Sequence, residues 1–149
     1  MKEHAIQYRV ILYDSEDYQK TLPLRDVTLR QPWGQSIADD DLSSEADDYI
    51  YGAFDGDRLV GMSVLQEGES FDRLRYMAVD EQYRHCGIGS VIARHFEAIA
   101  RQKGKAGIRL MARTSVIGFY EALGYVAEGE RFYPDHIDVE HQYMRLYFS

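Results

Sequence analysis

The chain has 149 residues, 45% of them hydrophobic and 28% charged, with a formal net charge of −8 and a sequence pI near 5.0. That length predicts one domain spanning residues 1–149, with a core that needs no disulfide or metal, and the acidic balance argues against a nucleic-acid partner, which would call for a basic surface. One cysteine, Cys86, excludes an internal disulfide, and neither a membrane-length apolar run nor the apolar core of a secretion signal is found, so a soluble cytoplasmic chain with no membrane partner is expected.

Residues 6–13 (IQYRVILY) are rich in Val, Ile and Tyr and predict a first strand. Asp14 and Ser15 can cap a helix carried by Tyr18, Thr21, Leu22, Arg25 and Leu29. Pro23 predicts either a kink there or the end of one short helix and the start of another. Residues 36–48 carry six acids and no base. They read as a solvated loop or short exposed helix; they lack the glycine of a calcium loop, and a weaker reading is attraction of a cationic substrate.

Residues 49–55 and 58–66 predict two strands joined by Asp55-Gly56-Asp57, a hairpin signal because glycine accepts positive φ. After a turn at residues 67–70, residues 73–79 predict a fourth strand. A tight turn follows, Arg84-His85-Cys86-Gly87-Ile88-Gly89-Ser90, and then a helix whose stripe of Ile88, Ile92, Phe96 and Ile99 faces the core while Arg94, Glu97, Arg101 and Lys103 face out. Gly104 marks its end. Residues 108–112 predict a fifth strand, parallel to the fourth through a right-handed crossover. A short helix over 116–123, a strand over 125–130 and a last strand over 141–148 complete an α+β domain with a mixed central sheet.

Two glycines one residue apart at a helix start can aim backbone N–H groups at an anion such as a pyrophosphate. The dinucleotide fingerprint fails because Ile92 stands where its third Gly or Ala belongs, and the P-loop fails because Ser90 follows Gly89 with no lysine.

Arg84-His85-Cys86-Gly87-Ile88-Gly89, preceded by Met77-Ala78-Val79, resembles the central motif of the GNAT superfamily, the Gcn5-related N-acetyltransferases. Phe119-Tyr120-Glu121-Ala122-Leu123-Gly124-Tyr125 resembles the same family's downstream segment. The likeness covers residues 49–148 well. Leu24-Arg25, Leu29-Arg30-Gln31-Pro32, Leu110-Met111-Ala112-Arg113 and His141-Gln142-Tyr143-Met144 further resemble a bacterial subgroup whose substrates are mostly unsettled.

The resemblance implies a GNAT-type, mostly antiparallel sheet of about seven strands flanked by helices. It implies acetyl-CoA as acyl donor, with no metal. The donor's pyrophosphate would lie on amides around Arg84, His85, Cys86, Gly87, Ile88, Gly89 and Ser90. Its pantetheine arm would lie beside Met77, Ala78 and Val79, where the fourth and fifth strands splay, with Phe119 alongside. An N–H near Val79 would polarise the thioester carbonyl; one such donor is typically worth about 3 kcal/mol. Tyr120 is implied as the acid for the leaving thiolate.

Two positions depart from the family. Arg113 stands where many members have a pantetheine-contacting Asn, and could instead reach a phosphate. Arg73, beside Asp72, stands where many have a strand-four Glu base. Base candidates are therefore His141, Glu67, Glu69, Asp72 and His136, with His141 preferred because a histidine titrates near neutrality and the last strands line the acceptor side in related folds. Cys86 is expected not to be a nucleophile, since its turn lies away from the thioester. The implied reaction is direct transfer of an acetyl group to a primary amine, on a small molecule or a protein, in a ternary complex, by an enzyme compatible with a homodimer. The alternative is a non-catalytic acyl-CoA-binding sensor.

Overall fold

The computed structural model describes residues 5–135 and 137–149. Its centre is a seven-stranded sheet: β1 (Ile6–Val10), β2 (Tyr49–Asp55), β3 (Arg58–Gln66), β4 (Phe71–Val79), β5 (Gly107–Arg113), β6 (Val126–Phe132) and β7 (His141–Tyr147). The spatial order is β1-β2-β3-β4-β5-β7-β6. Only β4 and β5 pair parallel, as the crossover helix between them requires; the remaining pairs are antiparallel. The predicted mixed sheet is therefore the observed one.

Helix α1 (Glu16–Arg25) begins at Ser15, whose side chain accepts the Tyr18 N–H. The helix runs through Pro23 and does not restart there. The chain stays helical and widens into a π turn over Asp26–Arg30, then tightens into a 3-10 turn, Gln31–Trp33, closed by Gly34 at φ 72°. Such a wide turn often marks a functional site. The α1 side of the sheet is packed by Ile11, Tyr18, Ile50, Phe54, Met62, Val64 and Ala78.

Helix α2 (Ile88–Gln102) crosses the other face. Ile88, Ile92, Ala93, Phe96 and Ala100 are each at most 1% exposed, and with Leu74, Ile108, Leu110, Met144 and Tyr125 they form the larger core. Glu97 departs from expectation: it is buried, held by Arg94 at 2.6 Å. Helix α3 (Ile117–Ala122) is a short element after a 3-10 turn at Thr114–Val116.

The acidic segment is also not what its composition predicts. Residues 37–39 and 43–47 are 3-10 turns, and Glu45 is 1% exposed. Its carboxylate takes two 2.8 Å bonds from the Arg25 guanidinium, itself fully buried, and a third from the Tyr18 hydroxyl. Asp40 is held by Arg30 at 2.6 Å and by the Tyr76 hydroxyl at 2.7 Å. These acids tie the segment to α1 and β4. Among the described residues no helix is long and apolar enough to cross a membrane, and no three His, Cys, Asp or Glu side chains gather to hold a metal ion.

Candidate functional site

The site begins where the sheet opens. β4 and β5 pair at Phe71–Gly107, Asp72–Ile108 and Arg73–Arg109, and not beyond. From there the two strands run on to Val79 and Arg113 without pairing. On its other side β4 carries an extra residue: Met62 opposes Ala78, but Val64 opposes Arg75. This bulge sits at Tyr76, a non-glycine residue at φ 55°, a conformation an aromatic residue adopts only when its surroundings hold it there. Ser63, fully buried on β3, donates to the Arg75 carbonyl at 2.7 Å. The Tyr76 hydroxyl is anchored on Asp40, and the Arg25 and Arg30 guanidinium carbons stand 4.8 and 5.6 Å from its ring centroid.

The bulge changes which face each side chain takes. Before it, Leu74 packs toward α2; after it, Met77 and Val79 do, while Tyr76 and Ala78 turn to the α1 side. Because the Asp80 N–H donates to Val60 on β3, peptide alternation turns the Val79 N–H toward the gap.

At the mouth of the gap stands the glycine turn. His85 and Gly87 have φ 66° and 81°, so the chain reverses directly into α2 with Gly87 as its cap. Val91 is the residue whose N–H bonds the Gly87 carbonyl, at 3.0 Å. The preceding N–H groups of Ile88, Gly89 and Ser90 therefore have no acceptor one helical turn back. No acid lies in this first turn to compete for the helix's positive end. A Cβ on Gly89 would meet the Phe119 ring at 3.0 Å, so the second glycine admits Phe119 against the helix start. That contact joins the two segments that carried the family resemblance.

A cavity of about 670 Å³ runs from this turn along the gap. Met77, Ala78, Val79, Arg84, His85, Gly87, Ile88, Gly89, Ser90, Arg113 and Phe119 line it, which brings together every residue expected at the donor except Cys86. The Cys86 thiol is exposed. The opposite wall, Thr28, Leu29, Pro32 and Trp33, comes from the π and 3-10 turns after α1, where the sequence alone suggests only Trp33, as a core or substrate-groove aromatic. Arg113 donates to the Leu29 carbonyl and lies 5.5 Å from the Trp33 ring centroid, clamping that wall to β5.

A second cavity, about 190 Å³, shares Leu29, Met77, Arg113 and Val116 with the first. Both residues expected to move protons line it, Tyr120 from α3 and His141 from β7. Burial pushes the Tyr120 phenol far above its ordinary value, so it stays protonated at neutral pH. His141 is 4% exposed and its Nδ1 lies 2.6 Å from the Val139 carbonyl. A carbonyl only accepts, so Nδ1 carries the proton and, in the neutral ring, Nε2 carries the lone pair.

The other base candidates are elsewhere. Glu67 pairs with Lys105 at 3.0 Å, which holds its carboxyl below the usual range. Asp72 is fully buried on Lys103 at 2.7 Å. Neither these two nor Glu69 lines either cavity, because all three stand at the paired end of β4. His136 lies outside the described residues.

A model of the acetyltransferase (GNAT) family matches residues 10–125. A Bacillus subtilis protein named as a candidate acetyltransferase is 35% identical over 65 residues, which span 44% of this chain and 44% of that relative's length. Among solved structures, a candidate N-acetyltransferase of Lactobacillus plantarum superposes with a TM-score of 0.83 at 16% identity, covering 97% of this chain and 99% of that one. A candidate streptothricin acetyltransferase of Bacillus anthracis, in complex with acetyl coenzyme A, gives 0.59 at 23% identity over 68% of this chain and 64% of its own. Both likenesses are of fold.

Proposed function

The chain belongs to the GNAT family of acetyltransferases, and from that premise we propose that it transfers an acetyl group from acetyl-CoA directly to a primary amine, both held in one ternary complex. The observation that carries this reading is the parting of β4 and β5 beyond Arg73 and Arg109, with the glycine turn at one end of the gap and Tyr120 and His141 at the other.

The residues fit the donor. The N–H groups of Ile88, Gly89 and Ser90 and the positive end of α2 suit its pyrophosphate, and the absence of a side chain at Gly89 leaves room beside Phe119. The open edge of β4 at Met77–Val79 suits the amide-bearing arm, as a strand suits a neighbouring strand. Acetyl-CoA, when bound, supplies an activated thioester. The Val79 N–H then donates to its carbonyl oxygen, the charge-developing atom. His141 Nε2 accepts the proton of the incoming amine, directly or through a water, as the N–C bond forms. Tyr120 gives its phenolic proton to the departing thiolate as the C–S bond breaks, and recovers one from solvent. Holding both partners in adjoining cavities removes the need for a covalent enzyme intermediate, and Cys86, outside both cavities, takes no part.

Calorimetry with acetyl-CoA tests the reading, followed by thiol release on an amine panel. Absence of binding at millimolar donor would overturn it. The second reading, a non-catalytic acyl-CoA sensor, is motivated by Arg73 at the position where many members carry a Glu base; binding without thiol release on any amine would favour it. We place the protein in the cytoplasm, on the grounds of its single cysteine and its lack of a membrane-crossing helix among the described residues.

A further inference from the structure

The sheet face away from α2 carries a feature that donor binding does not use. Arg73 on β4 stands directly opposite Arg109 on β5, and Arg109 directly opposite Arg145 on β7. Like charges at facing positions destabilise a sheet. Arg145 is matched by Glu128 at 3.1 Å. Among the described residues, Arg73 and Arg109 pair with no carboxylate, although the chain as a whole carries a net charge of −8. Arg75, two residues along the same face, also forms no ion pair; it lies over Tyr76 and is sensed only at longer range by Asp48. Arg73 is half-buried, and its burial, with Arg75 and Arg109 beside it, lowers its pKa. The fold thus holds positive charge without an ion-pair partner, half-buried at Arg73 and exposed at Arg109.

That place adjoins the reacting centre. Arg73, Leu110 and Met111 line both the cavity of Tyr120 and His141 and a neighbouring cleft of about 450 Å³, whose other walls include Arg109, Tyr143 and Arg145. The cleft shares no residue with the cavity at the glycine turn, so the donor's phosphates are not its guest. Within the acidic segment Asp40 and Glu45 are held by Arg30 and Arg25, and Asp48 acts on Arg75, so Arg73 and Arg109 gain no ion pair from it.

We infer that the acceptor is an amine that also carries an anionic group, a carboxylate or a phosphate, and that Arg73 and Arg109 bind this group while the amine reaches the cavity of Tyr120 and His141. Guanidinium groups bind carboxylate and phosphate oxygens through paired N–H donors, and a bound anion would relieve the repulsion along the row. A polycation such as a polyamine would add to that repulsion. The inference rests on the acetyl-transfer reading above and narrows it to a substrate class.

The test is acetyl-CoA-dependent thiol release on matched amines: ω-amino carboxylic acids of increasing length, their methyl esters, the corresponding aminoalkyl phosphates and the plain alkylamines. The acid or the phosphate series is expected to exceed the ester and the alkylamine in kcat/KM by about tenfold or more, the usual worth of a hydrogen-bonded charge; whichever series wins identifies the anion. Arg73→Gln and Arg109→Gln should each reduce that preference through KM, with acetyl-CoA affinity by calorimetry unchanged. Arginine Nε–H resonances of Arg73 and Arg109 should shift on titration of the CoA-saturated protein with the preferred anion. Equal use of ester or alkylamine, a preference that survives both substitutions, or acetyl-CoA binding with neither turnover of an anionic amine nor a shift at either arginine would overturn the inference and leave acetyl-CoA binding standing. Failure of acetyl-CoA itself to bind would overturn both.

Discussion

Glu45→Gln perturbs the site from a distance, through the buried pair it forms with Arg25. Both side chains are fully buried, and the carboxylate meets the guanidinium through two bonds of 2.8 Å. Burial opposes the Arg25 charge, but Glu45 more than offsets this, so the Arg25 pKa is raised. Glutamine keeps the shape and one acceptor but leaves a buried cation without its partner, a change that typically costs about 3–5 kcal/mol. A domain of this size holds only about 5–15 kcal/mol in total. At about 2–4 °C per kcal/mol, the melting temperature should fall by roughly 6–20 °C. The Arg25 guanidinium also lies over the Tyr76 ring, so a chain that still folds should bind acetyl-CoA more weakly as the bulge loosens. Urea denaturation measures the first effect and calorimetry the second. Arg25→Met with Glu45→Leu should recover part of the lost stability, because no buried charge is then left unpaired, although the buried Tyr18 hydroxyl loses its acceptor. A Glu45→Gln loss below about 1 kcal/mol, a value usual for an exposed pair, would refute the reasoning.

Three further outcomes follow from the same geometry. Gly89→Ala should weaken acetyl-CoA binding measured by calorimetry, because its Cβ would press on the Phe119 ring at 3.0 Å; stability should change little, since that contact opposes the roughly 1 kcal/mol by which alanine is favoured over glycine in a helix. Tyr120→Phe should lower kcat by about 100-fold while the KM for acetyl-CoA stays constant, as for loss of a positioned acid; unchanged turnover removes the acid assignment. At alkaline pH, burial and the bond to Asp40 push Tyr76 up to about 12, and burial raises Tyr18, Tyr120 and Tyr125 as well. A raised folded value contributes stability that is complete below the unfolded value near 10 and is lost as pH climbs toward the folded one. Thermal melts should therefore hold up to about pH 10 and fall steeply above it, with phenolate absorbance from these residues appearing only on unfolding.

Those features which depend on near neighbours in the chain were legible in the sequence. The bounds of β2 and β3 match their predicted ranges, the turn between them has Gly56 at φ 61°, and Gly104 ends α2 at φ 75°. The glycine turn and the Phe119–Tyr120 pair were readable as motifs, although their mutual contact was not. What escaped was non-local. The partner of Glu45 is 20 residues away in the chain, so six acids in thirteen residues read as a solvated face when one of them is core. The positive φ of Tyr76 has no local signal, because nothing in an Arg-Tyr-Met run asks for it; Ser63, Asp40 and Arg25 impose it from three other segments. The arginine row had a visible half, Arg73-x-Arg75 at strand spacing, but its alignment with Arg109 depends on the register of the β4–β5 pair.

The bulge gives these separate features one cause. A regular β4 would keep residues 73, 75, 77 and 79 on one face, so the side chains lining the donor's path and the arginines would compete for the same surface. One extra residue at Tyr76 reverses the alternation: Arg73 and Arg75 stay on the face away from α2, while Met77 and Val79 turn toward α2 and the glycine turn. The same reversal comes where pairing with β5 has already ended, so the Val79 N–H meets an open gap rather than a strand. A strained residue is thus maintained between donor and acceptor sides of one strand, and the buried Arg25–Glu45 pair and the Asp40 anchor supply the surrounding structure that such a conformation needs. On this account, relieving the strain should be harmful: Tyr76→Gly removes the penalty at positive φ, yet it also removes the ring under Arg25 and the hydroxyl on Asp40. The variant should lose acetyl-transfer rate and acetyl-CoA affinity together, whereas Tyr76→Phe, which keeps the ring and loses only the Asp40 bond, should retain most of both; equal loss in the two would place the role in the hydroxyl rather than in the bulge.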